Sequence, residues 1–175
     1  MLEGLHHLNE EIFVILNHLS PNYANGFWVL VTKTWTWIPL YAGLLYSLYQ
    51  KDLPRYVLRI ALIIVGVVLW DQGAEVAKHY FSVPRPCQTL ENIRILVHCG
   101  EFGFFSAHAA NSFGLFFLVR IWVSNGWAKA LFIAAALQTF SRIAVGVHYP
   151  FDLVVGIFWG FLVSFLLHKI ESRWN

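Results

Sequence analysis

The chain has 175 residues, of which 58% are hydrophobic and only 13% charged, with 8 Trp, 7 Tyr and 15 Phe. A soluble domain carries about 25% charged residues, so the composition points to an integral membrane protein, one domain spanning 1–175. The net charge of +2, with no basic run, argues against nucleic acid as a partner.

In chain order, residues 2–19 come first. Leu2, Leu5, Leu8, Ile12, Ile15, Leu16 and Leu19 recur at helical spacing, with Glu3, His6, His7, Glu10 and Glu11 between them. The pattern predicts an amphipathic helix, either lying in the membrane interface or packed on a bundle. No Lys or Arg precedes Lys33, so the basic start of a cleaved signal peptide is not expected here. A spanning helix needs about 20 mostly apolar residues. Five stretches qualify, at 27–49, 56–81, 108–123, 127–145 and 151–168, the third being short. The fold expected is all-α: a polytopic transmembrane helical bundle of about five spans plus the N-terminal interfacial helix.

Basic residues orient this arrangement. Lys51, Arg55, Arg59, Arg120, Lys129, Lys169 and Arg173 fall on one side of a five-span bundle, which the positive-inside rule makes cytoplasmic. The N-terminus and the segments 82–107 and 146–150 then lie outside. Lys33 falls within the first span and is expected to snorkel outward past Trp28 rather than contact a head group. Lys78, Arg85, Arg94 and Arg142 sit on the outer side against the rule, which requires a local reason.

Three separated segments supply that reason. The second span ends in Lys78, followed by Arg85-Pro86. The third begins at Ser106-Ala107-His108. The fourth ends and the fifth begins with Ser141-Arg142, His148 and Asp152. Clustered cations repel unless an anion joins them. Arginine forks suit phosphate oxygens, lysine adds a point charge, and a helix start offers free N–H groups. His148 and Asp152 are spaced for one helical turn. The carboxylate would accept from one ring nitrogen and aim the other, as a nucleophile, at phosphorus. His108 has no adjacent acid and suits a general acid toward the leaving oxygen. Asp71, Glu75 and Lys78 share a helix face, with Glu75 expected to pair with Lys78 as support. Asn111 and Ser112 would hydrogen-bond near His108 or join helices.

These segments resemble the signatures of the type 2 phosphatidic acid phosphatases, the membrane lipid phosphatase branch of the vanadium haloperoxidase-like superfamily. Lys78…Arg85-Pro86 and Ser141-Arg142…His148…Asp152 match the first and third signatures residue for residue. The second, Pro-Ser-Gly-His, is altered to Phe105-Ser106-Ala107-His108, which keeps the Ser, the His and a backbone N–H at Ala107. The resemblance implies a helical bundle with the site at its outer mouth. In it His148 forms a phosphohistidine assisted by Asp152, and His108 is the acid. Lys78, Arg85, Ser106 and Arg142 bind phosphate, and neither metal nor other cofactor is required.

The implied substrate is a membrane lipid phosphate whose tails stay among the bilayer lipids. Undecaprenyl diphosphate, phosphatidylglycerol phosphate and lipid A phosphate all fit, at the periplasmic face of a bacterial inner membrane. A lipid phosphotransferase is the nearest alternative, and a non-catalytic anionic-lipid transporter a third, which would not need the His148–Asp152 pair. Cys87 and Cys99 both fall in the outer loop, where a disulfide is favoured over two free thiols or a metal pair with His98. His6, His7, His18, His79, His98 and His168 read as interfacial, without acid partners at metal-ligand spacing.

Overall fold

The computed structural model describes residues 2–173; Met1, Trp174, Asn175 and the side chains of Leu2 and Glu3 lie outside it, so the first helix's Leu2 and Glu3 positions and the ends of the 1–175 domain are not described. The first helix, α1 (Leu2–His18), docks through Phe13 and Asn17, both fully buried. Leu5, Leu8, Ile15 and Leu19 stay exposed on its outer face. His6 and His7 do have acid partners, contrary to the sequence reading: each lies 3.4 Å from a carboxylate one turn on, Glu10 and Glu11. His168 likewise lies 3.5 Å from Glu171.

The span expected at 27–49 is broken. Helix α2 (Asn25–Thr32) ends at Lys33, whose backbone is extended, a 3-10 turn covers Thr34–Trp37, and α3 runs Ile38–Lys51. Pro39 in the first turn of α3 lacks the N–H a continuous helix would need. Carbonyls freed at the end of α2 are taken by side chains: the Trp37 indole donates to Val31 O at 2.8 Å and Thr36 Oγ1 to Leu30 O at 2.7 Å. Lys33 is exposed and lies over Trp35, not Trp28, which instead donates to Ser20 Oγ.

Helix α4 (Leu53–Phe81) has 29 residues and α8 (Pro150–Glu171) has 22, and both are long and apolar enough to cross a bilayer, with 18-residue windows of mean hydropathy 1.9 in the segment Leu53–Thr89 and 2.0 in α8. Each opens on a proline in its first turn. The site-end loop carries a short helix, α5 (Pro86–Thr89). Helix α6 (Ala107–Val119) stops four residues short of the expected 108–123, and residues 120–123 turn before the Ser124 hydroxyl caps α7 (Asn125–Ala144). Helix α6 is the central element. Gly160 of α8 lies so near it that an added Cβ would come 2.7 Å from Ala110 O, and Ser164 Oγ donates to Gly114 O at 2.8 Å. On its other side Trp70 of α4 fills the space that a Cβ on Gly114 would enter. Small residues thus let three long helices approach closely.

The two ends of the bundle differ. At one, Lys51 donates to Trp122 O, Arg59 pairs with Asp52 (3.2 Å) and Glu171 (3.8 Å), and the Trp122 indole donates to Glu171 Oε2. At the other, the loop between α4 and α6 carries a Cys87–Cys99 disulfide with a Cα–Cα distance of 6.2 Å.

Candidate active site

A cavity of about 590 Å³ opens among α3, α4, α6 and α7 at the disulfide end. Lys78, Arg85, Ala107, His108, Arg142 and His148 all line it, six of the eight residues that the sequence picked out. The other two stand behind the wall. Ser106 is fully buried and its hydroxyl accepts from Ala109 N at 3.4 Å, capping α6. Asp152 lies in the first turn of α8 and holds His148 from behind.

His148 is 2% exposed. Its Nδ1 lies 3.2 Å from Asp152 Oδ2, and its Nε2 lies 3.3 Å from Arg85 Nη1. A guanidinium only donates. Nε2 must therefore offer its lone pair, and Nδ1 must carry the proton that Asp152 accepts. Burial, and then Arg142, Arg85 and Lys78 beside it, hold the imidazole pKa well below its ordinary value of 6.5, in the neutral form. The same Asp152 oxygen also accepts from Tyr149 N at 3.1 Å, and Ser106 N donates to Asp152 O at 3.1 Å, tying the starts of α6 and α8 together.

The cations are fixed in different ways. Arg85 precedes α5, is 8% exposed and spends one nitrogen on Val147 O at 3.1 Å; burial lowers its pKa while Asp152 and Glu75 oppose this. Lys78 reaches back one turn to Glu75, the supporting pair expected from the sequence. Arg142, near the end of α7, donates to Thr32 Oγ1 where α2 breaks off. The Nε atoms of Arg85 and Arg142 are buried with no protein partner, as donors held for an anion would be. Among the described residues no three His, Cys, Asp or Glu side chains gather as a metal site. Asn111 donates to Ala107 O and Asp71 Oδ1, and Ser112 to Ala109 O.

Sequence reasoning missed the residues that hold the turn. Asn17 Nδ2 donates to Arg94 O (3.1 Å) and Ile143 O (2.8 Å), while its Oδ1 accepts from Arg94 N (2.8 Å). The signal was an Asn within the apolar stripe of an amphipathic helix. Gly146 has φ +88, and a Cβ there would stand 2.2 Å from Arg94 O.

The chain matches the PAP2 superfamily over residues 55–175. A lipid A 4'-phosphatase of Bacteroides thetaiotaomicron is 30% identical over 99% of this chain and 83% of the relative. The chain belongs to the PAP2 superfamily. An undecaprenyl-diphosphatase of Sulfolobus acidocaldarius is 29% identical over 94% of this chain and 79% of its own length. The crystal structure of Aquifex aeolicus LpxE superposes with a TM-score of 0.78 at 24% identity, covering 93% of this chain and 95% of that one. That of a transmembrane PAP2-type phosphatidylglycerolphosphate phosphatase from Bacillus subtilis gives 0.76 at 18%, covering 98% and 88%. These two share the fold. This PAP2 protein is a helical membrane protein and a phosphatase, a hydrolase of phosphoric esters.

Proposed function

We propose that this PAP2 phosphatase hydrolyses a lipid phosphate through a phosphohistidine on His148, without a metal, at the outer face of a bacterial inner membrane. The observation that carries the reading is the committed tautomer of His148, with Nδ1–H given to Asp152 and the Nε2 lone pair facing the cation-lined cavity. Lys78, Arg85, Arg142 and the Ala107 N–H hold the phosphate oxygens, and Ser106 sets the start of α6 that presents that N–H. His148 Nε2 bonds to phosphorus as the bond to the leaving oxygen breaks, and His108 gives that oxygen a proton. Water then attacks phosphorus, returns a proton to His108, and the P–N bond breaks to release phosphate and His148. Asp152 stabilises the charge that the imidazole gains in between.

The substrate is a lipid that presents phosphate at the interface: lipid A phosphate, undecaprenyl diphosphate or phosphatidylglycerol phosphate. The names of the relatives support this class. The chain works as one domain of about five spans, the first broken at Lys33, with α1 at the interface through its exposed leucines. Gathering of Lys51, Arg59 and Lys169 at the end away from the cavity supports a cytoplasmic assignment for that end and a periplasmic one for the site.

The test is phosphate release by purified protein from these lipids, together with acid-labile radiolabel trapped on the protein after quenching. His148→Ala is expected to abolish both. Vanadate is expected to inhibit, and chelators are not. Near-wild-type turnover by His148→Ala, or chelator inactivation reversed by a divalent metal, would overturn the mechanism.

A further inference from the structure

The cavity is layered along its depth. One stripe of α4 lines it from end to end: Lys78, Glu75, Asp71, Val67 and Ile63. At ~1.5 Å per residue, Glu75 lies about 5 Å, Asp71 about 10 Å and Ile63 about 22 Å below Lys78 along the axis. The facing helices repeat the order. On α6, His108 is followed one turn deeper by Asn111 and then Leu115; on α7, Arg142 has Gln138 one turn deeper. Among the described residues, every Lys or Arg lining the cavity is in the outer layer. The middle layer has two carboxylates and two amides, and the floor is aliphatic.

The middle layer holds two separate hydrogen-bonded pairs. Asn111 Nδ2 reaches Asp71 Oδ1 at 3.4 Å, and Gln138 Nε2 donates to Tyr41 OH at 3.0 Å. Asn111 Oδ1 is buried without a partner, and Arg85, 92% buried by its 8% exposure, keeps Nε unpaired in the layer above. The upper layer thus keeps unpaired donors, in the Nε atoms of Arg85 and Arg142, and the layer below it an unpaired acceptor, in Asn111 Oδ1.

The geometry points to Asp71, Glu75 and Asn111 as specificity-determining residues that select a phosphomonoester of an uncharged, donor-rich alcohol, such as a lipid-linked sugar, over a diphosphate lipid. This rests on the phosphatase reading and narrows its substrate. With the scissile phosphorus at His148, the group beyond the leaving oxygen points toward the lipid tail and so into the middle layer. Sugar hydroxyl and amide N–H groups would donate to Asp71, Glu75 and Asn111 Oδ1. The inner phosphate of a diphosphate would meet Glu75 and Asp71, with Lys78, Arg85 and Arg142 committed to the outer phosphate in the layer above. Like charges at that range disfavour binding.

The test compares kcat/KM of the purified full chain on lipid A and on undecaprenyl diphosphate in one detergent, with an aryl phosphate as a substrate lacking both features. Wild type is expected to favour lipid A by tenfold or more. Asp71→Asn and Glu75→Gln should each shift that ratio toward the diphosphate by about tenfold. A wild-type ratio near one or favouring the diphosphate, which needs no variant, overturns the inference, as does a ratio that neither variant moves. Aryl phosphate turnover with an unmoved ratio overturns the layer alone. No release from any of the three by wild type overturns the phosphatase reading with it.

Discussion

Arginine has no acceptor, so the 3.3 Å contact between Arg85 Nη1 and His148 Nε2 has only one polarity, and it leaves the lone pair of His148 on Nε2. In the proposed mechanism Nε2 is the nucleophile, which leaves protonation of the departing oxygen to the other histidine lining the cavity, His108. That division has a kinetic signature. A lipid alkoxide is a poor leaving group and needs a proton as its bond breaks, whereas a phenolate leaves with far less help. General acid catalysis is worth about 10²–10⁴-fold. His108→Ala should therefore lower turnover of a lipid monophosphate by about that factor and of an aryl phosphate much less, while His148→Ala should cost both heavily. Steady-state turnover on the two substrates checks this. Equal losses on both would mean that His108 binds phosphate and does not donate a proton.

The turn between α7 and α8 shows what a linear reading can and cannot find. Arg142, His148 and Asp152 follow one another closely at the end of α7, in the turn and at the start of α8, so they stood out in the sequence. The supports are backbone carbonyls, and carbonyls leave no mark in a residue string. Arg94 O and Ile143 O receive Asn17 Nδ2, Arg94 O also abuts Gly146, and Val147 O receives Arg85. The break at Lys33 was hidden for a related reason: 27–49 is mostly apolar despite Thr32–Thr36, and hydropathy does not register the helix-breaking geometry of Pro39 or the side chains that cap the broken end. Ser106, expected as a phosphate ligand, is fully buried behind the cavity wall, where its hydroxyl accepts from Ala109 N. The turn itself can be tested through Gly146. Its φ of +88 and the 2.2 Å approach to Arg94 O leave no room for a methyl. Gly146→Ala should destabilise the fold by about 1–3 kcal/mol from backbone strain and cut turnover on every substrate alike, because His148 and its Arg85 contact move together. Thermal unfolding in detergent with turnover on lipid and aryl phosphates measures both. A variant with unchanged Tm and turnover would show that the turn does not position His148.

The candidate site and the Arg59–Glu171 ion-pair cluster sit at opposite ends of the bundle. Arg59 and Lys78 lie on the same helix, about 28 Å apart at 1.5 Å per residue, close to the depth of a hydrocarbon core. At the far end Glu171 is 5% exposed, pairs with Arg59, and accepts from the Trp122 indole at 2.9 Å. It thereby ties the last turn of α8 to the first turns of α4 and to the turn between α6 and α7. Arg59 is itself buried, and Asp52 at 3.2 Å remains as its second partner. Glu171→Ala therefore strips the indole of its acceptor and Arg59 of one of two counter-charges. Hydrogen bonds to charged groups are worth about 1.5–3 kcal/mol, so the loss should be of that order and not the larger penalty of a wholly unpaired buried charge. Glu171→Gln retains an acceptor for Trp122 and should fall between. None of Asp52, Arg59, Trp122 and Glu171 lines the cavity, so folded protein should keep its kcat/KM within about twofold, a change worth only a fraction of a kcal/mol. Thermal unfolding in detergent, set beside kcat/KM per folded molecule, separates the two effects. A large fall in kcat/KM without a fall in Tm would mean that the far end governs the geometry of the site across the bundle, through α4 as a rigid rod.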